Sequence, residues 1–462
     1  MGPSPTPVPP LLRSASNDEV PALPADRSSR RALAEVRGRL PDLARAAGLA
    51  VPAYAAGRMG TATTLRAIDA AHGSGFFDVD EAATRDASAA SFAFRGGAPV
   101  VDVQTHLVDA TRWVGPHAAA LEGFLKMVDP ERWAGGVDPR SIDASAWAAQ
   151  VFGASETAVA LLTSTPGSAD DNVLTNPQIR AARDLVDRYA GTGRVLSHTI
   201  VHPNAGRAEL DAMEGWRDLL RPSAWKCYTL YGPPTAAAPG GGWFLDDDEV
   251  GGPFLERVRA HGPRIVATHK GLGGPVPAAS VATASPRDVG PAAAAFPDLT
   301  FVVYHSGFER DPDHEEGPYD PDGTGVDRLV RSVREAGIGH AGNVYAELGT
   351  TWFLMLRRPR EAAHVLGKLL VALGPDRILW GTDSVWYGSP QPLIDAFRAF
   401  RIPDDMQEAF GYPALTAEVK DKILSHSARA LYGIADASLS LPTSEWVDDA
   451  ARALRAAVEG AD

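Results

Sequence analysis

The chain has 462 residues, of which 45% are hydrophobic and 22% charged, and it carries a formal net charge of −14. That length and apolar content can bury a large core, which excludes disorder throughout and allows one large domain or two ordinary ones. The acidic balance, with no basic run, excludes sequence-independent binding to nucleic acid or an anionic membrane, and the single cysteine, Cys227, excludes an intrachain disulfide and a Cys-rich zinc site.

Residues 1–30 begin PSPTPVPP after Met-Gly and have no packed periodicity, so they read as a disordered or loosely packed tail. Ser29-Arg30-Arg31-Ala32-Leu33 looks like a twin-arginine export signal, but Glu35, Arg37, Arg39, Asp42 and Arg45 break the apolar stretch that follows. A cytoplasmic location is expected. No run approaches the roughly 18 apolar residues of a membrane helix. Residues 31–95 form a helical extension whose two leading patterns are broken by Pro41 and Pro52.

From residue 96 to 436, eight strand-length apolar runs recur, each followed by a helical or loop segment. They are VVDVQTHLVD from Val100, TAVALLTST from Thr157, VLSHTIVHP from Val195, AWKCYTLYG from Ala224, RIVATHKG from Arg264, LTFVVYHSGFE from Leu299, NVYAELGTT from Asn343 and RILWGTDSVW from Arg377. Eight βα units without a glycine fingerprint or phosphate loop predict a closed (β/α)8 barrel rather than an open doubly wound sheet. Residues 437–462 are expected to add a helix, around Glu445 to Glu459, packed outside it.

Polar residues stand near the strand ends: His106, His202, Lys226, His269, His305, Glu347 and Asp383. Barrel enzymes build their sites there. Alternation places Asp102, Gln104 and His106 on one face of the first strand, with Val101, Val103 and Thr105 on the other. Three histidines and an aspartate could hold one divalent metal, zinc by its usual donors, with manganese or iron as alternatives. His305, on the same strand face as Phe301 and Val303, is expected to lean into the barrel mouth.

These residues resemble the amidohydrolase superfamily, in the branch containing aminocarboxymuconate semialdehyde decarboxylase and gamma-resorcylate decarboxylase. The likeness runs from about Val100 to Gly433. It implies metal ligands at Gln104 and His106, at His269 in IVATHKG and at Asp383 in LWGTDSVW, and an acid/base or substrate-polarising role for His305 in FVVYHSGFE. Gln104 departs from the HxH or ExH pattern, since a carboxamide is a weaker donor than imidazole or carboxylate, though isosteric with Glu. A homodimer is also implied.

Lys226 and Tyr228 share a strand face, and Lys226 reads equally as a cation for a substrate carboxylate or as a partner of Glu347. Cys227 points outside the barrel. His198 reads as a satisfied core histidine, whereas His202 is placed against substrate. Trp352, Trp386 and Tyr387 could wall a small aromatic or apolar substrate. The expected reaction is hydrolysis of an amide- or lactone-like C–N or C–O bond by metal-activated water, with Asp383 or His305 as base. The alternatives are decarboxylation of an aromatic or unsaturated acid, dehydrative cyclisation in small-molecule biosynthesis, and a metal-free binding barrel.

Overall fold

Eight runs rich in β-branched and aromatic residues form parallel strands: β1 Val100–Thr105, β2 Thr157–Leu162, β3 Val195–Ile200, β4 Ala224–Tyr228, β5 Ile265–His269, β6 Thr300–Tyr304, β7 Val344–Glu347 and β8 Ile378–Leu379. This is a computed structural model, and it describes residues 9–15, 22, 25–73, 75–166, 172–273, 278–309, 315–386 and 388–461. The strands pair in sequence order. The last returns to the first: Val103 N donates to Trp380 O at 2.9 Å, Asp383 N donates to Gln104 O at 2.9 Å, and Thr105 bridges Ser384. With helices around it, the sheet is a (β/α)8 barrel.

Alternation sorts the strand residues into two layers. Val101, Val103, Val159, Leu161, Ala267, Val302, Tyr304 and Leu379 form a cluster drawn from nearly every strand, which is the barrel interior. Trp225, Cys227, Val266, Phe301, Val303 and Ile378 join the outer core under the helices. Cys227 is therefore outside, as expected. Two parity readings are corrected. The β1–β2 register shifts between Asp102 and Thr105, so Val101 and Val103 point inward while Gln104 and His106 still reach the mouth. Phe301 and Val303 face outward, and His305 reaches the mouth by another route, described below.

The lead-in packs on this frame. Helix Arg27–Ala46 starts at Asp26, whose carboxylate accepts from Ser29 N at 2.6 Å, and buries Ala32, Val36, Leu40 and Leu43 at helical spacing. Pro41 does not break it. Pro41 and Arg37 are both exposed, so water can satisfy the Arg37 carbonyl that loses its donor. Pro52, by contrast, sits in the first turn of helix Val51–Ala56, where its missing N–H is harmless. Within the segment expected to be a loose tail, Leu11 and Leu12 are buried and Arg13 pairs with Asp129 at 3.0 Å. Helix Ser444–Glu459 buries Val447, Ala450, Leu454 and Val458 against helices Ala144–Ala148 and Asn176–Ala190. Among the described residues no helix is long and apolar enough to cross a membrane.

Candidate active site at the C-terminal mouth of the barrel

β1 and β8 meet at a buried corner. Asp102 accepts from Gln104 N at 3.2 Å, from Thr382 N at 3.0 Å and from the Thr382 hydroxyl. This cross-link fixes the chain just before Asp383, whose backbone is left-handed (φ 61°), and Thr350 Oγ1 donates to Asp383 Oδ2 at 2.7 Å. The other carboxylate oxygen lies 2.8 Å from His106 Nε2. Burial works to raise the Asp383 pKa, but the hydrogen bond and charge of His106, with His305 and Thr350, outweigh it and hold the carboxyl below its ordinary value. Gln104 Nε2 is 3.5 Å from the same His106 nitrogen. Trp386 lies beside His106, ring centroids 5.7 Å apart.

β6 and β7 build the second corner. His305 and Ser306 are left-handed (φ 63° and 55°), and this turn swings the imidazole inward although the preceding alternation would send it out. Glu347 holds the turn in place. One carboxylate oxygen accepts from His305 N at 3.0 Å and the other from Gly349 N, while Ser306 Oγ donates to Glu347 O at 2.7 Å. Burial raises the Glu347 pKa to about 8, against the pull of those backbone donors. The reading of Glu347 as a substrate contact is thereby corrected, because both its oxygens serve the backbone. His305 Nδ1 donates to Gly349 O at 2.7 Å, which leaves Nε2 as the lone-pair nitrogen, buried and without a hydrogen-bond partner. Burial lowers the His305 pKa to about 4.

His269 closes the group from β5, its ring 4.5 Å from His305 and 5.5 Å from Tyr228. Its Nε2 donates to Gly271 O at 3.2 Å, and burial, then the charges of His305 and Lys226, drive its pKa well below the usual value. Lys226 is fully buried, with its ammonium 3.6 Å from the Tyr304 ring centre and 4.6 Å from that of Tyr228. Tyr228 OH donates to Ser164 O at 2.9 Å. Deeper, His198 Nδ1 meets Tyr304 OH at 3.2 Å, and that hydroxyl donates to Val103 O at 2.7 Å, so His198 is a core histidine as expected.

Gln104, His106, Asp383, His269, His305, Lys226 and Tyr228 thus stand around one mouth. Two other candidates stand elsewhere. His202 lines a cavity of about 240 Å³ with Asn176, Glu209, Trp216 and Leu219, beside helices Asn176–Ala190 and Arg207–Leu220. Trp352 packs edge-on against Phe397 and Phe400, both at 5.2 Å, and donates to Leu393 O at 3.1 Å, so it is core rather than substrate wall. Tyr387 lies outside the described residues. Sequence reasoning missed Thr350, Thr382 and Gly349, for small polar residues and glycines in loops carry no sign of which distant group they meet.

Among the described residues no three of His, Cys, Asp and Glu are gathered closely enough to hold a metal ion. The carboxamide alters the count. Gln104 Oε1 is buried without a hydrogen-bond partner, Asp383 Oδ1 is paired with His106 Nε2 at 2.8 Å, and that nitrogen lies between the two side chains. One nitrogen and two oxygens fit a divalent ion that accepts mixed donors, more weakly than a set with a second carboxylate or imidazole would.

The amidohydrolase family model matches residues 101–434. A comparison with curated proteins finds no match. Among solved structures, the chain is similar to 2,6-dihydroxybenzoate decarboxylase from Rhizobium, with 15% identity, 73% of this chain and 99% of that chain covered, and a TM-score of 0.41. It is also similar to 5-carboxyvanillate decarboxylase from Novosphingobium aromaticivorans with bound manganese (13%, 73% and 98%, TM-score 0.41) and to that from Sphingomonas paucimobilis (13%, 73% and 100%, TM-score 0.42). With the family model spanning the whole barrel from β1 to beyond β8, this chain belongs to the amidohydrolase family and is an enzyme of that superfamily.

Proposed function

We propose that this enzyme hydrolyses an amide- or lactone-like C–N or C–O bond in a small organic substrate, with one divalent ion, zinc ahead of manganese or iron, held by His106, Asp383 and the Gln104 carboxamide, and His269 beside them. The observation that carries this reading is His305. Its Nδ1–H is tied to Gly349 O and its Nε2 is buried with a free lone pair, so at neutral pH it is a base placed to take a proton from water. When bound, the ion supplies Lewis acidity toward a carbonyl oxygen and toward water. His305 accepts the proton as water adds to the carbonyl carbon, then returns it to the leaving nitrogen or oxygen as that bond breaks. Asp383, held ionised by His106 and Thr350, is a second acceptor. Lys226 binds a carboxylate or a developing oxyanion, and Trp386 shields the side next to His106.

Decarboxylation is the second reading, and what favours it is Lys226, a buried cation suited to gripping a carboxylate. Turnover in H2 18O of a panel of amides, lactones and aryl carboxylates separates the two. Hydrolysis places one 18O atom in the new carboxylate. Release of CO2 from an aryl acid, with no turnover of any amide or lactone, would replace the first reading by the second.

A further inference from the structure

Trp386 stands beside His106, and the contacts that hold it there begin outside the barrel. The carbonyls of Val385 and Trp386, in the turn after β8, accept from the Arg132 guanidinium, at 3.3 Å for Val385, and the face of that guanidinium lies 4.4 Å over the Trp133 ring. Arg132 projects from the turn after helix Gly115–Val128, and Asp129 shapes that turn: its Oδ1 accepts from Arg132 N at 3.2 Å and its carbonyl from Trp133 N at 3.1 Å. The other oxygen of this buried carboxylate is 3.0 Å from Arg13 Nε. Arg13 is carried by residues 9–15, which are fixed by buried Leu11 and Leu12 and by Ala15 O, the acceptor of a bond from Arg357 Nη2 at 3.2 Å. The three charges lie within reach of one another. Burial, then the like charge of Arg13, lowers the Arg132 pKa to about 10 against the pull of Asp129, and burial raises Asp129 against the pull of both arginines.

We infer that Arg13 is a positioning residue for the barrel mouth: by occupying Asp129 it leaves the Arg132 guanidinium to the Val385 and Trp386 carbonyls, and so sets Trp386 against His106. A carboxylate attracts a guanidinium more strongly than a neutral carbonyl does. Arg132 already meets Asp129 through its backbone N–H, so its guanidinium is the one that crosses to the carboxylate once Arg13 is gone. The turn after β8 then loses its donor, and Trp386 loses what fixes it. A segment outside the residues that the family model matches, 101–434, thereby shapes the site. The chain of contacts stands whatever bond the enzyme breaks; its consequence for substrate rests on the proposed function, in which Trp386 shields the side next to His106.

The test places fluorotryptophan at the ten tryptophans of the full-length protein and assigns Trp386 by the 19F signal lost in Trp386→Phe. Arg13→Met is expected to shift or split that signal, and adding Asp129→Asn to Arg13→Met to restore it, because the charge that draws Arg132 away is then gone. An unmoved signal in Arg13→Met overturns the inference, and so does a double variant that keeps the displaced signal. Arg39→Gln, which breaks the pair with Glu81 in the lead-in, is expected to leave Trp386 in place, and a shift as large as that of Arg13→Met would make the effect general and overturn the assignment. If Arg13→Met does not fold, Arg132→Met reads the same contact, and an unmoved Trp386 signal there overturns the inference. On any substrate found in the panel above, Arg13→Met is expected to raise KM about threefold or more with kcat within about twofold of wild type, the split that marks lost binding and not lost proton transfer. Unchanged KM overturns the link from Arg13 to substrate. The expected 19F pattern in a protein that turns over no amide, lactone or aryl carboxylate sinks the proposed function and leaves the positioning of Trp386 standing.

Discussion

The two sides of the barrel mouth use the same kinds of residue to different ends. From β6 through β8 to β1, every charged side chain at the mouth is fixed by backbone or hydroxyl partners: Asp102 by Thr382, Asp383 by Thr350, and Glu347 by the N–H groups of His305 and Gly349. Four non-glycine residues there, His305, Ser306, Thr350 and Asp383, adopt left-handed backbone, a conformation that costs of order 1–3 kcal/mol each and persists only where surroundings enforce it. At the end of β3 the arrangement is looser. His202 opens a short turn, its backbone N–H bonded to Glu209 at 2.9 Å, and it borders a groove between outer helices. A histidine at a strand end becomes a candidate for chemistry when the chain around it is over-determined, and position along the strand does not by itself make it one.

Removing the base on the ordered side should have the largest effect. His305→Asn is expected to lower turnover on the order of 100- to 10,000-fold with metal content intact. Near-wild-type turnover would make His305 structural and leave the proton to Asp383. Next comes His106→Ala, for which metal analysis should read a loss of affinity of about 100-fold, because two oxygen donors remain. Retention of a full equivalent of metal would contradict the assignment. Cutting the cross-link between β1 and β8 is milder: Thr382→Val leaves Asp102 short of a hydroxyl donor and should cost about 1–3 kcal/mol in denaturant unfolding. A midpoint equal to wild type would show that Asp102 finds another partner. His202→Ala, on the looser side, should change turnover less than about threefold. A hundredfold loss there would bring His202 back into the site and erase the contrast.

The ordered side should also show in the dependence of stability on pH. Burial raises Asp102 to about 7 and Glu347 to about 8, so the folded state holds protons that the unfolded chain has already released. Their contribution is complete below the ordinary carboxyl range and is lost as pH rises through 7 and 8. Between pH 4 and 6.5 the buried histidines oppose this trend, since His305 and His364 are lowered to about 4 and bind protons only on unfolding. Above pH 6.5 the histidines no longer contribute and the carboxyls set the slope, until Lys420, whose pKa burial lowers to about 8, begins to oppose them near pH 8. The melting temperature is expected to fall from pH 6.5 to 7.5, and Asp102→Asn should flatten that slope. An unchanged slope in the variant would assign the effect to other groups.

The strands were legible because each is an apolar run of the right length with turn residues on both sides, and five of them end in a residue that reaches the mouth. Side-chain parity was less secure. The irregular register of β1 and a left-handed turn at His305 each reversed a face, and neither leaves a mark in the sequence, since His is permitted in that conformation without demanding it. Pro41 misled for a related reason, as the cost of a helical proline depends on whether the orphaned carbonyl meets water. Glu347 and Trp352 were assigned correctly to the barrel's end, but whether a polar or aromatic group faces the cavity or the backbone is decided by partners such as Gly349 and Phe397, which only the fold brings near.

The N-terminal helices share one continuous apolar core with the outer layer of the barrel: Val36, Leu40 and Ile68 belong to the same cluster as Phe397, Phe400 and Trp380. Residue 95 therefore marks a change in sequence pattern and not a cleavable joint in the folded protein. A barrel expressed from residue 96 would present a greasy flank to solvent and associate through it.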